Sequence, residues 1–185
     1  FATWMATKAT DHFNPDWQVR LRARQPMEDA MRTDVTVASR PIRSGPVNER
    51  RVFEVFDDIT CEKGGAVLSM LEQWIGPDMF QKGLAAYMAE RKFSNATAGD
   101  LWHHIGRAAG RDVSAVASSW TDQPGFPLVS VRSTCERGST RVHLQQRRFG
   151  AASASADTAR WRIPVRLARG RDQVRAIGGV AGEGE

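Results

Sequence analysis

The chain is poor in the residue types that most often announce a function. Its 185 residues include two cysteines, one tyrosine and four histidines. Cys61 and Cys135 lie far apart and show no metal-binding spacing, so two unpaired thiols are expected rather than a disulfide framework. No apolar run approaches the roughly 20 residues of a membrane span, and no signal-peptide pattern is visible. The histidines are His12, His103, His104 and His143, and no two flank a glutamate at i, i+4. His103 and His104 are helix neighbours that point about 100° apart, so they cannot grip one ion together. Solvent-facing or capping roles are expected for them. No set of Ser, Cys and His suggests a nucleophilic triad, and no glycine-rich loop follows a strand in a phosphate-binding pattern.

What is present is apolar content of 41%, enough to bury a core in one large domain or two small ones. The net charge of +5 is unevenly spread: residues 1–123 carry 15 basic and 16 acidic side chains, residues 124–185 carry 11 arginines against 5 acids. Lysine is scarce throughout, which points to an arginine bias in composition more than to a nucleic-acid patch, and no nucleic-acid partner is expected. The charge shift marks a boundary near residue 124. The chain starts on Phe1 and ends on a Gly- and Glu-bearing tail, which reads as a segment of a longer protein.

Helical signals fill the first 123 residues. Residues 1 to about 12 place Phe1, Trp4 and Met5 on one face. Asn14 and Pro15 restart the helix as N-cap and first residue. Met27, Ala30, Met31 and Val35 then recur at helical spacing, with Pro26 expected to kink or divide the segment. Residues 38–49 hold two prolines and a glycine, and an extended loop is expected. Val67, Met70, Leu71 and Trp74 repeat until Gly76 stops that helix. Pro77 opens the next, with Phe80, Leu84, Tyr87 and Met88 as its expected buried stripe. Thr97 and Asp100 form a capping-box variant ahead of LWHHIGRAAG, which Gly110 ends. A short helix over about 114–120 comes after it. The methionine stripes at Met27, Met31 and Met70 are expected in the core. Short loops between helices predict an antiparallel helical array.

From residue 124 the period changes to two. Residues 126–131, 141–145 and 161–167 alternate apolar and polar side chains between Gly/Ser/Ala loops and are expected to be strands. Three or four strands are too few for a complete sandwich, and the tail from Arg169 has little to bury. The fold class is therefore mainly α over 1–123, followed by part of a small β-sandwich over 124–185.

One stretch stands out. Phe53 to Leu71, FEVFDDITCEKGGAVLSML, runs an acidic, aromatic turn into a Gly-Gly helix start, with Cys61 at the junction. First-turn N–H groups of a helix point outward unpaired, which makes such junctions apt places for a functional side chain. Asp57 and Asp58 at this junction are expected to cap the helix rather than form an acid pair. Gly64 and Gly65 are expected to permit close packing, and Lys63 to be structural through hydrogen bonding.

FDDITCEKGGAVLSMLEQWIG resembles the region after the zinc site in the gluzincin aminopeptidases, the alanyl aminopeptidase (aminopeptidase N) family, where the pattern reads roughly F-D-x-I-x-Y-x-K-G-A-x-V-L-x-M-L. The likeness extends in order along residues 1–168. Phe1-Ala-Thr-Trp-Met resembles the residues directly after that family's N-E-G tripeptide, and Arg40-Pro41-Ile42 with Gly45-Pro46-Val47 its proline-containing substrate-side loop. Phe80-x-x-Gly83-Leu84-x-x-Tyr87, Asn95-Ala96-Thr97-x-x-Asp100-Leu101-Trp102 and Trp120-Thr-Asp-Gln123-Pro-Gly125-Phe-Pro127 keep the family's order. Gln146-x-x-Phe149 and Trp161-x-Ile163-Pro164-Val165 resemble its small β-sandwich.

The resemblance implies a thermolysin-like catalytic domain and a metal-assisted hydrolysis in which Zn2+ polarises the scissile carbonyl of a peptide. The family's zinc ligands, an H-E-x-x-H helix and the glutamate of N-E-G, would precede Phe1. The chain is thus expected to contribute neither metal ligand nor general base, and to work only with the remainder of its own polypeptide. The family's oxyanion-stabilising tyrosine falls at Cys61. A thiol is a shorter and weaker donor than a phenol, and losing such a donor typically costs about 10²–10³ in rate. Tyr87 lies in the next helix, where the family also has an aromatic packing residue, and cannot replace it. The rival expectation is a non-catalytic binding or scaffold module that kept the fold and lost the site.

Overall fold

Eleven buried apolar side chains, from Trp4 to Ala117, form the core around which the helices gather. The computed structural model describes residues 1–36, 39–45, 52–136, 139–150, 158–169 and 172–176. Helix α1 spans Ala2–Phe13, a 3-10 turn spans Pro15–Trp17, and α2 and α3 span Val19–Arg22 and Arg24–Asp34. After a 3-10 turn at Val52–Val55 and a π-helical turn at Ile59–Lys63 come α4 (Gly64–Ile75), α5 (Pro77–Arg91), α6 (Ala98–Ala109) and α7 (Val113–Thr121).

The central element is α4. Val67, Leu68, Leu71 and Ile75 share its inward face and are all buried, Leu71 completely. Each such side chain contributes about 1.5–3 kcal/mol relative to exposure. Helix α1 lies on α4 through Trp4, whose ring also meets Phe80 of α5 at 5.3 Å. Gly65 sits where a Cβ would be 3.4 Å from the Thr3 methyl, so the expected close packing at the glycine pair holds for Gly65.

The punctuation between helices lies in the caps. Gly76, at φ 99°, ends α4, and Pro77 begins α5 at the first helical position. Thr97 and Asp100 make the reciprocal capping box, and left-handed Gly110 closes α6. Asp112 caps α7 by accepting from the Ala115 N–H at 3.0 Å. Helices α5 and α6 pack so closely that a Cβ on Gly83 would lie 2.6 Å from Ile105 Cα.

Several expectations shift. Met31 and Met88 are 38% and 55% exposed, so neither is core; Ala30 is buried beside the first and Gly83 and Phe80 carry the inner face of α5. Phe1 and Met5 are exposed, which leaves Trp4 alone as the buried anchor of α1. The helix around Pro26 divides at Ala23, where the proline, lacking an N–H, could not have bonded back to the preceding turn. Asn14 precedes only a 3-10 turn and makes no side-chain cap bond. Residues 39–45 run without helix or strand as expected; 38 and 46–49 lie outside the described residues.

The helices end at Thr121 and strands begin at Pro127. Strands β1 (Pro127–Glu136) and β2 (Ser139–Arg148) pair antiparallel, Pro127 opposite Arg148. Strands β3 (Val165–Arg169) and β4 (Asp172–Ala176) form a second antiparallel pair. The expected strand over 161–167 thus begins only at Val165. Residues 161–164 join no ladder, and Pro164 has no N–H to give one. Beyond Arg169, Asp172–Ala176 completes the second hairpin.

Candidate functional site

The Phe53–Leu71 stretch is a path of three helix types. The 3-10 turn leads to Phe56 and Asp57, the π-turn Ile59–Lys63 comes next, and α4 continues from Gly64. A π-turn is wider than an α-turn and is found mostly as isolated turns, frequently at functional sites. Here it is held at both ends.

At the start, Asp57 Oδ1 accepts the Thr60 N–H at 3.0 Å, the capping role expected for it, while Asp58 makes no side-chain cap bond. Arg40 grips the same carboxylate, Nη2 to Oδ1 at 2.6 Å and Nε to Oδ2 at 3.2 Å. Its guanidinium also donates to Thr60 Oγ1 at 2.7 Å, Val55 O at 3.0 Å and Pro41 O at 3.0 Å. One planar fork therefore ties together the loop, the 3-10 turn and the first π residues.

At the end, Lys63 is buried and its ammonium lies 2.9 Å from Asp34 Oδ2 and 2.8 Å from the Gly125 carbonyl. Asp34, at 1% exposure, accepts through Oδ1 from Ser39 Oγ at 2.6 Å and the Gly125 N–H at 2.9 Å. Burial pulls the Lys63 pKa down, against Asp34, which favours the charged form. The expected structural role of Lys63 is thus realised. Its partners carry no signal in the sequence: Asp34 reads as an ordinary acid ending a helix, and Gly125 as a turn. Gly125 has φ +81° and a Cβ there would meet Arg148 Nε at 2.5 Å, so glycine is required.

Between the two anchors sits Cys61. Its N–H donates to Asp57 O at 2.9 Å, and its side chain is half-buried and free. Phe53 and Phe56 beside it are 85% and 78% exposed. Neighbouring Glu62 is half-buried; burial, and then the charge of Asp58, push its carboxyl pKa up. Glu62, and not Cys61, lines a cleft of about 810 Å³ between α1, α4 and residues 164–166, walled by Trp4, Lys8, Glu72, Trp74, Arg111 and Arg166 among others.

In the segment after α3, Arg43 donates through Nε to Asp122 Oδ1 at 2.8 Å, and its backbone N–H to Thr121 O at 2.9 Å. The Arg43 hydrogen bond holds the Asp122 carboxyl below its usual range.

The histidines divide. His12, His103 and His143 are all exposed. His104 is buried, its Nε2 3.4 Å from Glu90 Oε2 and its ring 6.1 Å from Tyr87, which corrects the solvent or capping reading. Tyr87 packs there, against His104. Among the described residues no group of three or more His, Cys, Asp and Glu could hold a metal ion.

Comparison with known proteins gives the class, a metallopeptidase, and the family within it. The profile of the "Peptidase family M1 domain" matches residues 1–120, and the chain belongs to that family. It is 35% identical over 170 residues to "Aminopeptidase M1" of Arabidopsis thaliana, covering 92% of this chain and 19% of the relative. It is 33% identical over 171 residues to "Alanine/arginine aminopeptidase" of Saccharomyces cerevisiae (90% and 20%). "Tricorn protease-interacting factor F2" of Thermoplasma volcanium is 29% identical over 168 residues (90% and 21%). These matches are longer than 120 residues and so continue into the β-hairpins. The chain spans about a fifth of the length of the curated relatives it matches.

Proposed function

We propose that the chain is the C-terminal half of a zinc aminopeptidase catalytic domain (residues 1–123) joined to part of a β-sandwich (124–185). As part of the longer polypeptide it serves the removal of N-terminal residues from peptides. The family match across residues 1–120 carries this reading. The clamped turn that presents residue 61 supports it, because a fold that aims one side chain at a reaction centre must hold that side chain's backbone still.

In this reading the zinc ligands and the general base lie on residues outside this chain. The chain's own residues shape the floor: Cys61 stands where an oxyanion donor is needed, the two anchors fix its backbone, and α4 backs it. The 185-residue chain by itself is expected to bind no zinc and to turn over no substrate. Metal analysis together with an aminoacyl-anilide assay on the chain tests this, and stoichiometric zinc or turnover would overturn it.

Cys61 also favours a second reading, a binding or scaffold module that kept the fold without the chemistry, since a thiol is a poor substitute for a phenolic donor. The coding sequence upstream separates the two. An H-E-x-x-H segment before Phe1 supports the enzyme, and a start codon in its place supports the module.

A further inference from the structure

The π-turn is held by charges that come from outside it or reach beyond it at both ends. Arg40 contributes five hydrogen bonds: two to Asp57, one to Thr60 and two to the carbonyls of Val55 and Pro41. Lys63 joins the end of the turn to Asp34 on α3 and to Gly125, just ahead of β1. Asp34 in turn takes the Gly125 N–H, so both backbone polar groups of Gly125 are committed to this one ion pair.

We propose that Arg40 and Lys63 are positioning residues, a pair of clamps that set where residue 61 stands and link that placement to the start of the β-module. The inference rests on the aminopeptidase reading for the purpose of the placement, but the placement itself belongs to this chain.

Three features point beyond simple stabilisation. First, a buried lysine–carboxylate pair is a costly way to gain stability, because desolvation offsets most of the attraction. Its product here is geometric: three segments distant in sequence meet at one ammonium. Second, the clamps flank residue 61 closely, with Thr60 on one side and Lys63 two residues beyond. Third, the Arg40 fork makes contacts that a lysine at the same position could not reproduce, since they need several donors in one plane.

Cys61 itself is the reporter, and Cys135, exposed on β1, is the internal reference. The alkylation rates of both thiols by iodoacetamide, resolved by peptide mass spectrometry, are compared in the 185-residue chain and in Arg40→Lys and Lys63→Met. Thr97→Ala, which removes the capping box of α6 outside both clamps, supplies a control for lost stability alone. Each clamp variant is expected to change the Cys61 rate by about tenfold or more relative to Cys135, because a charge-assisted anchor of the turn is gone. Thr97→Ala is expected to leave the ratio near that of the parent.

A ratio unmoved in both clamp variants, or moved equally by Thr97→Ala, would overturn the proposal. If a clamp variant fails to fold, Arg40→Gln and Lys63→Arg give the same readout with smaller changes. The measurement needs no peptidase activity, so failure of the aminopeptidase reading would leave its outcome intact.

Discussion

Gln146 and Trp161 exchange two buried hydrogen bonds: the Gln146 amide donates to the Trp161 carbonyl at 3.0 Å, and the Trp161 N–H donates to Gln146 Oε1 at 2.9 Å. A side chain on β2 thus does for residue 161 what a neighbouring strand would otherwise do. Trp161 is 2% exposed and faces Trp120 of α7 at 6.5 Å, while Trp120 Nε1 donates to Arg162 O at 3.0 Å. The segment is therefore pinned between the hairpin and the last helix. Gln146→Leu would leave both backbone groups of Trp161 without these partners, at about 1–3 kcal/mol for each buried group. A lowered thermal midpoint and a shifted tryptophan emission are expected, and an unchanged midpoint would show the pairing to be dispensable.

Gly83 gives a prediction of opposite sign to the usual helix rule. Glycine to alanine inside a helix ordinarily stabilises by about 1 kcal/mol. Here the added Cβ would meet backbone atoms of α6, Ile105 Cα at 2.6 Å and the His104 carbonyl oxygen at 3.0 Å. Gly83→Ala is expected to destabilise by about 1–3 kcal/mol through overpacking. Chemical denaturation checks this, and a stabilised variant would mean that α5 and α6 separate easily.

Glu62 predicts a pH dependence. Burial and Asp58 raise its pKa in the fold above the ordinary 4.5, so the folded chain holds this proton to higher pH than the unfolded chain does. Its contribution to stability therefore falls as pH rises from 4.5 through the raised value, and the cost persists at neutral pH. Glu62→Gln is expected to melt above the parent near pH 7, with the gap closing once the parent's carboxyl is protonated below about 4.5. A gap that is absent at pH 7, or that widens in acid, would contradict the assignment.

The helices were legible because their ends carry strong local signals. Pro77, the Thr97–Asp100 box and Gly110 each act within a turn of themselves, and the apolar stripe of α4 repeats cleanly. What sequence could not show is pairing at a distance. Asp34 looks solvent-facing until Lys63 and Gly125 arrive from segments far along the chain. His104 sits beside an exposed histidine and differs from it only by which side of α6 meets Tyr87 and Glu90. Residues 161–164 alternate like a strand, yet a strand needs a partner ladder, and a glutamine side chain takes that place. Within the Phe53–Leu71 stretch, the cap at Asp57 and the tie at Lys63 were readable by residue type, whereas the π-turn was not. Contacts from distant segments hold both its ends.

Residue 61 carries the most consequential expectation. If the turn presents this position to the oxyanion formed during peptide hydrolysis, the thiol is what limits the reaction. The direct measurement is kcat/KM on an aminoacyl-anilide for Cys61→Tyr against its parent, both in the full-length polypeptide. A rise of roughly 10²-fold or more is expected when the phenolic donor is restored, whereas no gain would contradict the placement of residue 61 at the reaction centre.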